Sequence, residues 1–406
     1  MLDVPITTFH VVNLGCKVNR VESDAVSAAL VSSGARQSAE ETADLIVVNT
    51  CTVTGEAEKK ARKAVRHAIS CNPHARVIVT GCAVAIDEAT YAALGENVEI
   101  VQRGELLASM TEIAKGTSIR MGDGFRTRVN VKIQDGCDHA CTYCIVHVAR
   151  GRARSVPFEE VMREARNYLE LGAKEIVLAG IDLASYKDGD IRLAQLVESL
   201  LEAADKANKP GELPARVRAS SIEPHTLDES LIDLLAAANG RLCRHLHLPL
   251  QSGSTKVLRE MARPYNADGY RELVEHLHER VPSIALSTDI IAGFPGETDD
   301  EFEETLELAR ICAFSKIHAF PYSKRAGTPA AARLDQVSPE VKTQRAARLR
   351  ALGDELRKED FARRRGTEEL VIVEDDCALT ESYHEIAIPA GAATGELVPA
   401  VLEFPL

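Results

Sequence analysis

A group of three cysteines in the middle of the chain has the spacing of a metal site. Cys137, Cys141 and Cys144 lie within one eight-residue segment. Three thiolates on one short loop can hold three corners of a 4Fe–4S cube and leave the fourth iron without a protein ligand. Zinc also accepts thiolates, but a structural zinc site takes four ligands, and His139 and His147 are the nearby residues that would have to supply the fourth. The ligand count therefore favours an iron–sulfur cluster, with zinc as the alternative.

Three further cysteines follow short apolar segments in the N-terminal part of the chain. Cys16, Cys51 and Cys82 each come at the end of such a segment, and helical patterns at Asn19–Ser33 and Glu56–Ser70 lie between them. This series predicts parallel strands, whose carboxyl ends meet at one edge of a sheet. We therefore predict a second site of three thiolates at that edge. The alternative is that the three cysteines are small buried side chains without a ligand role.

The other cysteines show no comparable pattern, and we predict that they pack as structural side chains. They are Cys71, Cys243, Cys312 and Cys377. Ten cysteines in a chain that opens without a signal peptide indicate a reducing compartment with metal sites rather than disulfides.

The length and charge of the chain restrict the class of protein. Its 406 residues predict two or three domains, and no apolar stretch is long enough to span a bilayer. We therefore expect a cytoplasmic protein without a membrane partner. The net charge of -13 argues against a general nucleic-acid binder. The stretch from Lys342 to Arg365 is locally basic, with nine Lys or Arg against four acids, and it predicts either a solvated helix face or a nucleic-acid contact.

The order of strand and helix patterns predicts an α/β fold. We expect a Rossmann-like parallel sheet over residues 1–120, ending at a polar break at Lys115–Asp123, and a partial (β/α)6 barrel over residues 121–338. A basic linking helix at 339–367 and a small β module at 368–406 complete the chain. The six predicted barrel strands are Arg128–Gln134, Glu175–Ala179, Arg216–Ser220, His245–Leu248, Ala285–Ile291 and Lys316–Phe320.

Polar and glycine-containing motifs follow four of the predicted barrel strands. They are Ala179–Asp182, Ser220–Pro224, Pro249–Ser254 and Ile291–Thr298. Glycine lets the backbone approach a ligand closely, and the amide of Gln251 can both donate and accept hydrogen bonds. Each motif alone is explained by ordinary turn chemistry. Four of them at the carboxyl ends of barrel strands predict a ligand pocket.

Taken together, these motifs resemble those of the radical-SAM methylthiotransferases, and the resemblance covers nearly the whole chain. The Cys137–Cys144 loop, with Tyr143 before its last cysteine, resembles the radical-SAM signature. The other matching motifs are Leu14–Asn19, Asn49–Thr54, Thr80–Cys82, Lys132–Cys137, Arg150–Ser155, Gln251 and Gly293–Thr298. The Gly-Cys-Lys-Val-Asn form at 15–19 is most similar to the branch that acts on N6-threonylcarbamoyladenosine beside the tRNA anticodon.

The resemblance implies two 4Fe–4S clusters and S-adenosyl-L-methionine as cofactors. A first cluster on Cys137, Cys141 and Cys144 would cleave S-adenosylmethionine reductively, and the resulting 5′-deoxyadenosyl radical would abstract the hydrogen from carbon 2 of the adenine. An auxiliary cluster would present the sulfur, which a second S-adenosylmethionine methylates; its three ligands would be Cys16, Cys51 and Cys82. A radical route suits a C–H bond that is too weakly acidic for a general base.

The resemblance also implies further contacts and partners. We predict cofactor-binding roles for Tyr143, Gly180, Ser221, Gln251 and Gly293. The expected partners are the tRNA anticodon loop and an electron donor such as flavodoxin or ferredoxin, while the sulfur donor is unknown. The last predicted module, 368–406, resembles the RNA-binding TRAM module of the family, although it is short for one and not notably basic.

Other functions remain open from the sequence. One is a methylthiotransferase acting on another tRNA adenosine or on a ribosomal-protein side chain. A second is a radical-SAM enzyme of different outcome, in which the N-terminal cysteines are structural. A third is a non-catalytic RNA-binding protein with zinc in the Cys137 loop.

Overall fold

The computed structural model describes residues 6–106 and 127–406. The chain forms two compact units. The first contains residues 6–106 with Gly136–His139 and Cys144–Arg152; the second contains residues 127–135, Ala140–Tyr143 and Ala153–Leu406. The predicted break at Lys115–Asp123, and with it the predicted boundary after residue 120, lies outside the described residues.

A five-stranded parallel sheet forms the centre of the first unit, as the sequence predicts. Its strands are β1 Thr8–Asn13, β2 Arg36–Gln37, β3 Leu45–Thr50, β4 Arg76–Gly81 and β5 Val98–Ile100, in the order β2-β1-β3-β4-β5. The helices of this unit are α1 Lys17–Ser32, α2 Gly55–Cys71, α3 Cys82–Ile86, α4 Glu88–Ala92 and α5 Val146–Arg150. Every strand pair in the sheet is parallel.

The sequence of β3 explains its central position in this sheet. All six of its residues are buried. Alternate side chains of a strand point to opposite faces, and here Ile46 and Val48 join the apolar core that includes Val65 of α2. Leu45 and Val47 join a second core on the other face. A strand buried on both faces needs a continuous apolar run rather than an alternating one.

A partial barrel of six parallel strands forms most of the second unit. The strands of this region are β6 Arg128–Lys132, β7 Gln134–Asp135, β8 Arg154–Ser155, β9 Glu175–Ala179, β10 Lys187–Asp188, β11 Ile191–Arg192, β12 Arg216–Arg218, β13 His245–His247, β14 Ala285–Ala292 and β15 Lys316–Pro321. Parallel sheets β6-β9-β12 and β13-β14-β15 are joined by parallel bridges from Val217 to Leu242 and from Ser221 to His247. The six strands are thus in chain order, and the predicted barrel is confirmed.

Helices alternate with these strands. They are α6 Phe158–Glu170, α7 Leu193–Ala207, α8 Glu229–Ala237, α9 Thr255–Glu260, α10 Ala267–Arg280, α11 Asp299–Ile311 and α12 Pro329–Ala332. Three strands end earlier than predicted, β12 at Arg218, β13 at His247 and β6 at Lys132. Instead of extending β6, Gln134–Asp135 pair antiparallel with Arg154–Ser155. No helix in the described ranges combines the length and apolar character needed to cross a bilayer.

The chain ends in a long helix and a small antiparallel sheet. These elements are α13 Pro339–Arg364, β16 Glu368–Val373, β17 Ala378–Thr380, β18 Glu385–Ile386 and β19 Leu397–Val401, with sheet order β18-β17-β16-β19. Strand patterns in the sequence at 370–374 and 384–388 predict β16 and β18, whereas β17 and β19 are not predicted. The three residues of β17 are too few to show a measurable alternation.

Buried arginines fasten this sheet to the barrel strands. Arg216 donates to the carbonyl of Leu379 at 3.1 Å, and Arg218 donates to the carbonyl of Glu381 at 2.7 Å. Both guanidiniums pair with Glu175, whose side chain is fully buried. Burial alone would raise the pKa of Glu175, but the two guanidiniums hold it well below its usual range. The acid therefore stays ionised and compensates two buried cations.

Candidate functional site

The carboxyl ends of β1, β3 and β4 place three thiols at one edge of the parallel sheet. Cys16 is the residue before α1, Cys51 directly follows β3, and Cys82 is the first residue of α3. Thr50 and Gly81 are paired at the ends of β3 and β4. The pKa of the Cys82 thiol is raised mainly by burial and further by the other two thiols, so the three are within electrostatic reach of one another. The structure brings these three predicted residues together.

A glycine permits this close approach. Gly81 has a φ of +102°, and a Cβ at this position would lie 2.4 Å from the carbonyl oxygen of Thr50. Any other residue would both strain the backbone and push β4 away from β3. Gly81 therefore fixes the position of Cys82 beside Cys51.

Asparagine side chains hold the loops that carry the first two thiols. Asn19 donates to the side-chain oxygen of Asn49 and to the carbonyl of Thr50, both at 3.0 Å. The thiol of Cys16 donates to Asn19 at 3.3 Å. Buried amides with both donor and acceptor capacity can connect two strand ends in this way. The position of Cys16 is thus coupled to the segment that carries Cys51.

Two arginines give this thiol group a cationic surrounding. The buried guanidinium of Arg150 donates to Asn19 at 2.7 Å and pairs with Glu22 at 3.2 Å. Arg103 pairs with the same glutamate and lies 3.9 Å from the sulfur of Cys82. Burial raises the pKa of Cys82, and both guanidiniums oppose this rise. Nearby cations favour the thiolate, which is the form that binds metal.

The first and last cysteines of the Cys137 loop, Cys137 and Cys144, belong to the first unit. The sulfur of Cys137 accepts a hydrogen bond from the backbone N–H of His139, and that of Cys144 accepts one from Val146, both at 3.4 Å. Backbone N–H groups directed at cysteine sulfur tune iron–sulfur sites.

Gly136 sets the entry into this loop. It has a φ of +73°, and a Cβ here would lie 2.0 Å from the carbonyl oxygen of Arg152. The next residue, Cys137, donates its backbone N–H to the carbonyl of Gly151 at 3.1 Å. The segment before the first cysteine therefore lies against the segment after the last one.

Arg263 is a contact of the middle cysteine that our sequence reasoning did not identify. Its guanidinium donates to the sulfur of Cys141 at 3.1 Å and also pairs with Glu223. It donates further to the hydroxyl of Tyr265 at 3.0 Å, and its side chain is almost fully buried. Arg263 is 122 residues from Cys141 in the sequence, so no local motif signals the contact.

The glycine after β9 lies in a crowded loop. A Cβ on Gly180 would lie 2.8 Å from the side chain of Leu183 and 3.2 Å from that of Gln134. The side-chain oxygen of Gln134 accepts hydrogen bonds from the backbone N–H groups of Ile181 and Asp182 at 2.9 and 3.0 Å. Gln134 therefore fixes this loop from the end of β7.

Two other predicted residues follow β12 and β13. Ser221 is bridged to His247. Gln251 has a φ of +65°, a conformation that is uncommon for a residue with a Cβ. Its backbone donates to the carbonyl of Asp289 at 2.8 Å and accepts from Ile291 at 2.9 Å. Strained conformations of this kind persist where the surrounding structure enforces them, often at functional sites.

Gly293 and Tyr143 are the last two of the predicted cofactor-binding residues. Gly293 has a φ of +74°, donates to Glu297 at 2.6 Å, and would place a Cβ 2.5 Å from the side chain of Lys342 in α13. Tyr143 packs half-buried against a core that contains Phe294. The glycine is thus accounted for by its backbone conformation and by the packing of α13, independently of any ligand.

The basic helix α13 uses much of its charge within the protein. Arg345 pairs with Glu297 at 2.6 Å, Arg348 with Glu303 at 2.6 Å, and Arg364 with Asp360 at 2.8 Å. Many of the basic side chains of α13 are therefore occupied in ion pairs within the protein.

No disulfide joins any of the ten cysteines, all of which lie in the described ranges. Cys243 and Cys312 are fully buried and Cys71 and Cys377 are half-buried, whereas the other six occupy the two groups described above. Two sets of three soft sulfur donors, each with at least one arginine beside a sulfur, fit iron–sulfur clusters that keep one iron open.

Models of two protein families match the chain. The model of the Radical SAM superfamily matches residues 131–309, and that of the uncharacterized protein family UPF0004 matches residues 8–102. Among solved structures, the radical S-adenosylmethionine methyltransferase TsrM from Kitasatospora setae superposes with a TM-score of 0.59 at 14% identity, covering 81% of this chain and 77% of that one. This structure supports the fold.

Curated relatives are similar over most of the chain. The threonylcarbamoyladenosine tRNA methylthiotransferase MtaB of Bacillus subtilis is 38% identical over 401 residues, which is 93% of this chain and 86% of the relative. The protein of the same name from Thermotoga maritima is 36% identical, covering 82% of this chain and 79% of the relative. A tRNA-2-methylthio-N6-dimethylallyladenosine synthase from Carboxydothermus hydrogenoformans is 34% identical, with coverages of 84% and 82%.

Proposed function

The chain belongs to the radical-SAM tRNA methylthiotransferases, and we propose that it adds a methylthio group to carbon 2 of N6-threonylcarbamoyladenosine next to the tRNA anticodon. The observation that carries this proposal is the second group of thiols. Cys16, Cys51 and Cys82 meet at adjacent strand ends, which a radical-SAM enzyme without sulfur chemistry does not require.

Two 4Fe–4S clusters and S-adenosyl-L-methionine are the cofactors of this family, and they supply the radical that activates the C–H bond and the sulfur that replaces its hydrogen. We assign Cys137, Cys141 and Cys144 to the cluster that binds S-adenosylmethionine. The auxiliary cluster is assigned to the three N-terminal thiols. The position of the N-terminal thiols at strand ends supports the second assignment, and the hydrogen bonds to the sulfurs of Cys137, Cys141 and Cys144 support the first.

The side chains around the thiols hold the two groups of cysteines in position and place positive charge beside them. Arg150 and Arg103 stabilise thiolates in the first unit, and Asn19 fixes the loop of Cys16. In the second unit, Arg263 holds Cys141 through its sulfur, while Glu223 compensates the buried guanidinium. These contacts keep the ligands in place before any cofactor binds, which is the usual protein contribution to cofactor chemistry.

The loops after the barrel strands form the rest of the cofactor site. We assign S-adenosylmethionine contacts to Tyr143, Gly180, Ser221, Gln251 and Gly293. The strained backbone of Gln251 and the close packing at Gly180 support two of these roles. Exclusion of water from the radical is the expected task of this rim.

The remaining assignments concern partners and organisation. We propose a cytoplasmic enzyme with flavodoxin or ferredoxin as electron donor. Its domains are a methylthiotransferase domain at 1–120, a barrel at 121–338, a linking helix at 339–367 and a TRAM-like module at 368–406. The family models, which match residues 8–102 and 131–309, support the first two.

A second candidate substrate is an adenosine with an isopentenyl-type N6 group, since the name of the relative from Carboxydothermus hydrogenoformans contains N6-dimethylallyladenosine. The two candidates are separated by a competition assay. The reconstituted enzyme is incubated anaerobically with reductant, S-adenosylmethionine and equal amounts of the two modified anticodon stem-loops. Nucleosides are then analysed by mass spectrometry. We expect methylthiolation of the threonylcarbamoyl RNA; modification of the other RNA alone would favour the second candidate.

A further inference from the structure

Three polar side chains lie on adjacent strands in the barrel. His247 is on β13, Asp289 on β14 and His318 on β15. One nitrogen or oxygen of each lies within 4.8 Å of those of the other two. His247 Nε2 is 3.4 Å from the carboxylate of Asp289, and the two imidazole rings are centred 5.8 Å apart. None of the sequence motifs identifies this group, because its members come from three different strands.

This group is open to solvent although its strands are central. Asp289 is flanked by β13 and β15, yet its side chain is 33% exposed, and that of His247 is 17% exposed. The alternate residues Leu286 and Ile290 on the same strand are fully buried. Strands of parallel barrels usually bury both faces. The group therefore presents a polar and accessible face that a polar ligand can contact.

A hydrogen bond to Ser287 fixes the orientation of the His247 ring. Its Nδ1 lies 3.0 Å from the hydroxyl of Ser287, and Nε2 of His245 lies 3.1 Å from the same hydroxyl. The ring of His245 in turn contacts Tyr383 edge-on, with centroids 4.7 Å apart. Because Nδ1 is used by Ser287, Nε2 is the nitrogen that faces Asp289. An imidazole held in this way is suited to recognition rather than to free rotation.

The group also adjoins the residues assigned to the cofactor. Ser221 is bridged to His247, and the backbone of Gln251 donates to the carbonyl of Asp289 at 2.8 Å. A ligand that contacts the three side chains would therefore lie beside the proposed S-adenosylmethionine site. In this reaction the molecule that must lie there is the adenosine to be modified.

We propose that His247, Asp289 and His318 form the subsite for the polar amino-acid group on the modified adenosine, an inference that rests on the proposed function. Imidazole N–H groups suit a carboxylate, and an aspartate oxygen suits an N–H or hydroxyl donor. An N6-threonylcarbamoyl group carries a carboxylate, a hydroxyl and ureido N–H groups. An apolar isopentenyl group offers none of these partners, so it would gain no hydrogen bond in this subsite, and the subsite favours the polar group over it.

The test compares binding of labelled anticodon stem-loops to the anaerobically reconstituted full chain by fluorescence anisotropy. The RNAs carry N6-threonylcarbamoyladenosine, unmodified adenosine or N6-isopentenyladenosine. We expect the wild type to bind the threonylcarbamoyl RNA at least about tenfold more tightly than the unmodified RNA, the effect of about one charge-assisted hydrogen bond. His318→Phe and Asp289→Asn should each bring this ratio close to one and leave affinity for the unmodified RNA unchanged.

A matched control is His276→Gln. His276 also lies 3.0 Å from a carboxylate, that of Glu229, but it is outside the barrel strands and should leave the ratio unchanged. Iron content and thermal melting are measured for every variant, and Asp289→Asn, which is nearly isosteric, serves if His318→Phe does not fold. If a folded variant keeps the wild-type ratio of affinities for the threonylcarbamoyl and unmodified RNAs, the proposed subsite is wrong. If the enzyme still methylthiolates the threonylcarbamoyl RNA in that case, the proposed function is unaffected.

Two further outcomes would overturn the proposal in other ways. If the wild type modifies none of the RNAs, the proposed function itself fails. If EPR titration shows stoichiometric Mn²⁺ binding that His318→Phe abolishes and His276→Gln does not, the three side chains form a cation site instead. Two imidazoles and one carboxylate are a known ligand set for divalent metals, so this measurement is a direct alternative.

Discussion

A hydrogen bond from a charged side chain to a cysteine sulfur affects the reduction potential of a cluster bound by that cysteine. In the second unit, the guanidinium of Arg263 is the donor to Cys141, and it is held by Glu223 and Tyr265. A cationic donor stabilises the more negative, reduced form of an iron–sulfur cluster and so raises its reduction potential. The identity of this residue therefore affects how easily the enzyme can be reduced.

We predict that Arg263→Gln lowers the reduction potential of the cluster on the Cys137 loop. The measurement is an EPR-monitored redox titration of the reconstituted chain. Arg259→Gln is the control, because Arg259 is exposed on the neighbouring helix α9. An unchanged potential with a fully loaded cluster would contradict an electrostatic role for Arg263.

Local sequence predicts these residue-scale features only in part. The six cysteines are recognisable from the spacing of one loop and from the apolar runs that precede the others. Arg263 and the group of His247, Asp289 and His318 are not, because their partners are distant in the chain or on other strands. Such contacts exist only after the barrel has formed.

At the scale of elements, helix α13 packs against the loop that contains Gly293. A Cβ on this glycine would meet Lys342, and the residue has a positive φ. We predict that Gly293→Ala destabilises the protein by about 2–4 kcal/mol, the combined effect of backbone strain and displacement of the helix. The free energies of unfolding of the wild type and the variant, measured in urea, give this change.

Gly366→Ala separates the two effects. Gly366 also has a positive φ, of +82°, but no atom lies within 4 Å of its Cβ position. Its substitution should cost only the backbone strain, about 1 kcal/mol. Equal losses for both variants would show that α13 does not pack closely against Gly293.

The same helix is joined to the terminal sheet by a charged pair that depends on pH. Asp360 accepts from His384 at 2.7 Å and from Arg364 at 2.8 Å. Burial would raise the pKa of Asp360, but these two hydrogen bonds lower it well below its ordinary value of 3.8. Because the folded protein has the lower pKa, the pair stabilises it above pH 3.8, and this contribution is lost as pH falls further.

We predict that Asp360→Asn lowers the free energy of unfolding at neutral pH and that its difference from the wild type shrinks in acid. The measurement is a set of unfolding curves of both proteins at about pH 7 and 5, which lie above the ordinary pKa of Asp360, and at about pH 3, which lies below it. A difference that is constant over this range would show that the carboxylate does not act through its charge.

At the scale of the whole molecule, the sequence predicts the order of helices and strands better than it predicts short strands, strand ends and ion pairs. The βα series and the six barrel strands are confirmed, since their segments carry either an apolar run, as in β9, or alternating apolar residues, as in β6. Strands β17 and β19 and the early end of β6 are not predicted, because pairing with other segments of the chain determines them. The locally basic helix is also only partly informative, since several of its arginines pair with acids elsewhere in the chain.

The central claim is that the chain carries two iron–sulfur clusters, one of them on the N-terminal thiols. The most direct measurement is iron and sulfide content after anaerobic reconstitution of the wild type and of the Cys16→Ala/Cys51→Ala/Cys82→Ala variant, with Cys71→Ala/Cys377→Ala as the control. We predict about eight irons per chain in the wild type and control and about four in the triple variant, as two 4Fe–4S clusters require. About four irons in all three proteins would contradict the claim.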